Sequence, residues 1–267
     1  MRYAIFLAAF IVIPAYPQAA ITGGNGVCDA FGCLGMNAPG DYDFQKDEII
    51  FFIAGVPYSG HVTGQIVRKP ADGTNPEIRN FQSPMTYRDS MGRTRTEVTQ
   101  MQALIGGHGE PLRWSFPQID DPVAGYRIIL DPIHRIAHRM RVEAYPTNPA
   151  LPAEPVRRDG VTTVIADLGT ATVLGITALG TRDTTTFPAG TYPGSDKFMT
   201  VVSERWYSLK YDLTVKRSHL TPESETTEAM EDFSAADPDP SLFAVPLGYQ
   251  IVDETGRFSI TIPRNAQ

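Results

Sequence analysis

The sequence predicts a mainly β protein: a single antiparallel, strongly curved sheet or half-barrel of about nine to eleven strands with only short helices. Three observations carry that expectation. From residue 50 onward the chain breaks into short runs rich in β-branched and aromatic residues, separated by Gly, Pro, Asp and Asn clusters at the spacing of a meander. Several runs alternate apolar and polar residues with a period of two. No coiled-coil heptad, internal repeat or long amphipathic helical pattern follows the first twenty residues.

The N-terminus reads differently. "MRYAIFLAAFIVIPAYPQAA" (1–20) places Arg2 before an apolar run from Ala4 to Ile13, then Pro14 and a small-residue end, the three-part form of a secretory signal peptide. The run is about half of what a membrane-crossing helix needs, so cleavage near Ala19 or Ala20 is expected, with no transmembrane segment afterwards. Residues 21–50 form an N-terminal segment holding both cysteines, Cys28 and Cys33. In an oxidising compartment these predict a local disulfide, and half of a metal site or a redox pair are the competing readings. The protein is therefore expected to be exported, periplasmic or extracellular.

Residues 51–267 are expected to form one β domain. "YSGHVTGQIVRKP" (58–70) ends at the Asp72–Gly73 turn signal, and a second run reaches Tyr87. "RDSMGR" (88–93) then closes a tight hairpin, with Asp89 and Ser90 as local acceptors and Gly92 supplying a positive φ. The charges of "YRDSMGRTRTE" (87–97) are expected to point outward along a solvated face. "RWSFPQI", "YRIILD" and "RIAHRMRV" follow, separated by "DDPVAG" and "DPIH". In the last two runs Tyr126, Ile128 and Leu130 share one face, while Ile136, His138, Met140 and Val142 lie opposite Arg135, Arg139 and Arg141.

Residues 144–160, "AYPTNPALPAEPVRRDG", read as a Pro-rich surface excursion. Further strands fit 170–188, 198–220 and 226–237. Asp239 followed by Pro240 and "SLF" predicts a capped short helical turn before a Val-Pro-x-Gly-Tyr exit.

"YRDSMGRTRTE", "DPVAGYRIILDP", "LGTATVLGITALGTRDTTTFPAG", "VVSERWYSLKYDLTV" and "DPDPSLFAVPLGY" together resemble, in the same order, a group of exported bacterial β-rich proteins over about residues 58–253. That group carries no known catalytic residues to transfer. The chain is also similar to periplasmic lipoprotein-carrier and sigma-factor-regulator sensor domains. The similarity lies in the Trp206-Tyr207 strand and the closing Leu242 to Tyr249 segment, and it implies a curved antiparallel sheet able to hold a lipid. The chain departs from that pattern in having no long helices to cover the concave face.

The net charge of −7 disfavours nucleic acid as a partner, because phosphate affinity rests on basic surface. No G-x-S-x-G, S-x-x-K, P-loop or G-x-G-x-x-G occurs. His134 and His138 would share a metal if their H-x-x-x-H lay on a helix, which Asp131-Pro132 could cap, but the alternation from 135 to 142 suits a strand. Arg127, Arg135, Arg139 and Arg141 on adjacent strands, extended by Arg93 and Arg95, predict either an anion-attracting stripe or a solvated face with Glu97, Glu143 and Glu204 as partners. Val202, Glu204 and Trp206 share a face, but no second carboxylate can be placed opposite Glu204 for a glycosidase.

The leading expectation is thus an exported non-enzymatic binding or envelope-associated protein without a cofactor. It would hold a lipid or other hydrophobic ligand, or an envelope protein, through Arg93, Arg95, Tyr126, Ile128, Arg139, Arg141 and Trp206. The alternatives are a metal-dependent or hydrolytic enzyme using His134 and His138, and a structural or protein-interaction module.

Overall fold

The computed structural model describes residues 27–29, 32–34, 41–44, 49–70, 73, 75–102, 112–147, 160–192 and 196–261, with side chains left aside at 27–43, 98–102 and 112–114. The leader expected at 1–20, the cleavage expected near its end and most of the Pro-rich stretch lie outside the described residues. In chain order the strands are β1 (Val27–Asp29), β2 (Gly32–Leu34), β3 (Asp41–Phe44), β4 (Ile49–Phe52), β5 (Tyr58–Arg68), β6 (Glu77–Gln82), β7 (Thr86–Arg88), β8 (Thr94–Gln102), β9 (Leu112–Asp121) and β10 (Tyr126–Asp131). They continue with β11 (Ile136–Arg141), β12 (Glu143–Pro146), β13 (Thr162–Val173), β14 (Ile176–Phe187), β15 (Met199–Ser208), β16 (Leu213–Leu220), β17 (Ser224–Ser234), β18 (Gln250–Glu254) and β19 (Phe258–Thr261).

The chain divides into two compact units, one comprising 1–47, 101–112 and 254–267 and the other 48–100 and 113–253. In the first, β1 pairs with β2, setting Cys28 opposite Cys33, and β3 pairs with β19, where Phe44 stacks on Phe258 at 5.0 Å. The thiols themselves lie outside the described side chains.

Thirteen strands form the large sheet, in the order β13-β14-β15-β16-β17-β5-β7-β8-β9-β10-β11-β18, with β6 beside β5. The order ends at β13 and β18, so the sheet is open rather than a closed barrel. This corrects the expected nine to eleven strands. The run before Tyr87 is two strands, β6 and β7, interrupted at Ser83-Pro84, because proline has no N–H for the ladder. The pairing is also mixed, since β4 and β12 run parallel in a ribbon of their own. Residues 144–146 accordingly belong to a strand, with Tyr145 against Phe51 at 6.2 Å, and not to the excursion expected there. The only helical element among the described residues is a 3-10 turn at Pro240–Phe243, whose Asp239 carboxylate accepts from the Ser241 N–H at 2.8 Å. Among the described residues no helix is long and apolar enough to cross a membrane.

Local chemistry explains the hairpins. Between β13 and β14, Leu174 and Gly175 both take positive φ, 51° and 79°, the two-residue turn whose twist matches paired strands. Between β10 and β11, the buried Asp131 carboxylate accepts from the N–H groups of Ile133 and His134. Two apolar clusters then form in the larger unit. One gathers Ile176, Ala178, Tyr211, Leu213, Val215 and Met230. The other gathers Ile119, Ile128, Leu130, Ala137 and Phe243, with Leu242, Val245 and Tyr249 packed against it. Burying Phe243 contributes about 2–3 kcal/mol.

The β7–β8 hairpin confirms the expected turn and overturns the expected solvated charges. Asp89 N–H donates to the Arg93 carbonyl at 3.0 Å, and Gly92 sits at φ 84°. Yet Arg88 is 6% exposed and Asp89 4%. Arg88 donates to the carbonyls of Val56 at 2.9 Å and Tyr211 at 2.8 Å and lies over the Tyr58 ring. The Asp89 carboxylate accepts from the N–H groups of Met91 and Arg93 and from Arg93 Nε at 2.6 Å. Burial pushes the Tyr58 hydroxyl pKa up, with Arg88 pulling it down and Asp212 adding to the rise. The charges are buried because backbone carbonyls and each other's termini replace water.

A Cβ at Gly92 would lie 2.7 Å from the Phe52 ring and 3.1 Å from the Ile53 carbonyl oxygen, in a backbone region already unfavourable to L residues. Gly92→Ala is expected to cost about 1–3 kcal/mol, and Asp89→Ala about 3–5 kcal/mol because it leaves Arg93 half-buried without its carboxylate. Urea unfolding followed by circular dichroism measures both, and a loss below about 0.5 kcal/mol for Asp89→Ala contradicts this account.

Candidate functional site

The register of the long strands places one cross-strand row after another on the sheet face that carries Trp206. Val164, Thr184, Val202, Leu220, Glu225, Val67 and Ile78 are successive direct partners from β13 through β14, β15, β16, β17 and β5 to β6. Five of these seven are apolar: Val164 is 61% exposed, Ile78 57% and Leu220 39%, with Val202 and Val67 half-buried between them. The next row on the same face, Ala166, Arg182, Glu204, Ser218, Thr227, Gln65 and Asn80, is polar apart from Ala166 and holds two cross-strand pairs. Arg182 NH2 donates to Glu204 at 2.8 Å and Gln65 to Asn80 at 3.0 Å.

Trp206 follows in the third row, as the alternation of Val202, Glu204 and Trp206 predicts. Its Nε1 donates to Glu204 Oε1 at 2.9 Å. Its ring lies across Gly180, where a Cβ would meet it at 2.7 Å, so the absent side chain is what lets the indole lie flat on β14. Trp206 packs against the buried Ile176 and Val215 cluster on one side. The face thus grades from a buried core, through the indole and an ion-paired row, to an apolar row that is exposed at Val164, Leu220 and Ile78. The hydrogen bonds from Arg182 and Trp206 hold the Glu204 carboxyl below its ordinary 4.5, against a smaller opposing effect of burial.

The remaining expected site residues are dispersed. Tyr126 and Ile128 lie on β10 and pack with the second cluster, seven places from β15 in the strand order, so no single cluster joins them to Trp206. Arg139 and Arg141 do meet Tyr126, at 4.7 and 5.3 Å over its ring, and Arg141 NH2 donates to its hydroxyl at 3.0 Å. Arg139 is also held by Asp253 through two hydrogen bonds of 2.6 and 2.9 Å, which depress the Asp253 pKa.

The continuous arginine stripe does not form. Arg127 pairs across from Met140, on the opposite face from Arg139 and Arg141, and is clamped to Asp120 at 2.6 Å. Arg93 lies over the Phe243 ring and Arg95 donates to the Leu242 carbonyl, so both grip the C-terminal turn. Their partners are 147 to 150 residues away in sequence, which no local pattern reports.

The helix that would have joined His134 and His138 is a tight turn followed by β11. His134 Nδ1 lies 2.6 Å from the Asp131 carboxylate, whereas His138 is buried opposite Ile129. Among the described residues, no group of three or more His, Cys, Asp or Glu is arranged to hold a metal ion.

No family model matches the chain, and no curated protein matches it. Among solved structures, the crystal structure of the Mycobacterium tuberculosis lipoprotein LppX is similar at 12% identity. The alignment covers 67% of this chain and 88% of LppX with a TM-score of 0.26.

A pair missed in the sequence lies on the other face. Ser203 and His219 are direct cross-strand partners, with Oγ and Nδ1 2.9 Å apart, and burial followed by Arg217 lowers the His219 pKa below its ordinary 6.5. A neutral imidazole beside a hydroxyl is the start of a nucleophilic dyad. However, the neighbouring acid, Asp183, pairs with Ser203 rather than lying beyond His219, so it does not orient the base as a triad carboxylate does. The arrangement is a cross-strand polar pair.

The depressed Glu204 pKa gives a signed pH dependence. Its stabilising contribution is present above 4.5 and is lost as pH falls through the lower folded value. In a Trp114→Phe background, Trp206 fluorescence is expected to change below pH 4.5, and Glu204→Gln should remove that step while leaving the neutral-pH spectrum native-like. An unchanged acid transition in Glu204→Gln contradicts the assignment.

Proposed function

We propose that the protein is an exported, non-enzymatic binding protein that takes a lipid or other hydrophobic ligand on the Trp206 face of its open sheet. The observation that carries this reading is the apolar row of Val164, Val202, Leu220, Val67 and Ile78 across consecutive strands, exposed at Val164, Leu220 and Ile78 and half-buried at Val202 and Val67. Single exposed apolar residues are ordinary, but three exposed and two half-buried ones in one row make a continuous apolar surface that gains by leaving water. Covering each of the five side chains contributes roughly 1 kcal/mol, about 5 kcal/mol in sum, which corresponds to holding an acyl chain in the sub-millimolar range.

In this reading the half-barrel curvature expected from the sequence bends the sheet toward that row. Trp206 forms its inner wall, where the indole presents an apolar ring while its N–H stays satisfied by Glu204. The Arg182–Glu204 pair beside it would meet a polar headgroup without adding net charge. Such a function needs no nucleophile and no cofactor. The readout is direct, because an acyl chain is heavy enough to appear in a native mass spectrum.

Native mass spectrometry of the purified protein is expected to show a co-purifying lipid, or uptake of oleate when the protein is mixed with it. Leu220→Asp combined with Ile78→Asp should weaken oleate binding at least tenfold while the far-ultraviolet spectrum stays native. Absence of oleate binding in the native protein, or equal binding in the double variant, rules the reading out.

A further inference from the structure

His61, on β5, is 6% exposed, and its Nδ1 has two unlike neighbours. The Met85 sulfur lies 3.3 Å away and the Asp232 carboxylate 3.7 Å away. The three residues come from three separate segments. Met85 follows the Ser83-Pro84 interruption between β6 and β7. There Ser83 N–H donates to the Val62 carbonyl at 2.7 Å and its hydroxyl accepts from the Val62 N–H at 2.9 Å, tying the break to β5 beside His61. Asp232 sits in the register break of β17 between Glu231 and Ser234, with φ 50°, a left-handed conformation that is rare outside glycine. Bulges of this kind re-aim a side chain out of the pleat. Glu231 stands directly opposite His61 in the pairing and adds a second negative charge at that register position.

From this geometry we propose that His61, Met85 and Asp232 form a copper(I) site, with Nδ1 and the thioether sulfur as ligands and the Asp232 carboxylate completing the charge balance. Bond lengths of about 2.0 Å to nitrogen and about 2.3 Å to sulfur separate two donors by about 3.3–3.9 Å at angles of about 100–130°. The observed 3.3 Å falls at the near end of that range, so the ion enters with little rearrangement. The thioether decides the metal class. Methionine is a soft ligand that selects copper(I), whereas zinc takes Cys, His and carboxylate, and magnesium and calcium take oxygen. A monovalent ion offsets the Asp232 charge, and the Glu231 carboxylate across the pairing leaves the surroundings net negative, which favours a cation there. Asp232 is 80% exposed, so the site opens to solvent on its side and has an entry path. The competing account is a packing contact in which a protonated Nδ1 points at sulfur, a weak acceptor. The two differ in whether Nδ1 is free to accept a metal.

The test uses silver(I) as a redox-inert probe for copper(I). The full-length protein carries Cys28→Ser and Cys33→Ser, so that thiols do not compete, and ¹³C-methyl methionine, so that its eight methionines are read separately. One equivalent of silver nitrate is expected to shift the Met85 methyl and the His61 ring resonances, with the other methionines unmoved. Met85→Leu should weaken silver binding at least tenfold while the His61 resonance reports an intact fold, and Asp232→Asn should weaken it less. Copper(I) competition against bicinchoninate should reproduce that order. An unmoved Met85 methyl at one equivalent, a shift confined to other methionines, or equal affinity in Met85→Leu overturns the proposal.

Discussion

The larger unit depends on burying charge at one hairpin. Arg88 and Asp89 are adjacent in sequence and are both nearly inaccessible, yet they serve different partners. The guanidinium of Arg88 draws in the carbonyls of Val56 and Tyr211, which precede β5 and β16. The carboxylate of Asp89 closes the turn on Arg93, and Arg93 in turn lies on the Phe243 ring. Removing charges from water costs several kcal/mol each, so this arrangement persists only because every partner is in place together. The hairpin therefore acts as a checkpoint for correct pairing of segments far apart in the chain. Gly55 N–H bonded to the Ser90 carbonyl and Ser90 N–H bonded to Asp237 extend the same logic to two further loops.

Around that knot the sheet divides its labour. Near β10 and β11 the apolar residues are covered by the Leu242 to Tyr249 segment, which takes the place that a long helix would occupy in a helix-covered sheet. Near β13 to β17 no helical element exists among the described residues, and the same face runs out into exposed Val164, Leu220 and Ile78. One half is closed by its own chain and the other is left to meet something else. Trp206 marks the boundary, with its ring against the core and its N–H on Glu204.

The parts legible in the sequence are those with local causes. Period-two alternation locates β10 and β11, Asp239-Pro240 locates the 3-10 turn, and Gly92 locates the hairpin. Strands of three or four residues, such as β3, β4 and β19, are too short to show alternation, so the strand number rises when the chain is folded. The site was harder for a different reason. Val164, Val202, Leu220, Val67 and Ile78 form a row only through register, and register is a property of pairing rather than of any one strand. The arginine spacing resembles a stripe, whereas Arg95 and Arg139 are taken by Leu242 and Asp253 on distant segments and Arg127 faces the opposite way, onto Asp120. Ser203 with His219 and His61 with Met85 lie 16 and 24 residues apart, and nothing local links either pair.

β13 pairs with β14 on one side and ends the strand order on the other. Its twelve residues include no proline, lysine or arginine, and Asp167 is its single charge. Such an edge would ordinarily template the addition of another chain. The register shift at Asp167 and Gly169, with the Gly169 N–H turned to the Asp167 carboxylate at 2.7 Å, breaks its straight run into two shorter ladders. A stray strand can match one half or the other but not both, so a two-residue irregularity is what keeps a sheet this wide from growing wider by recruiting its neighbours.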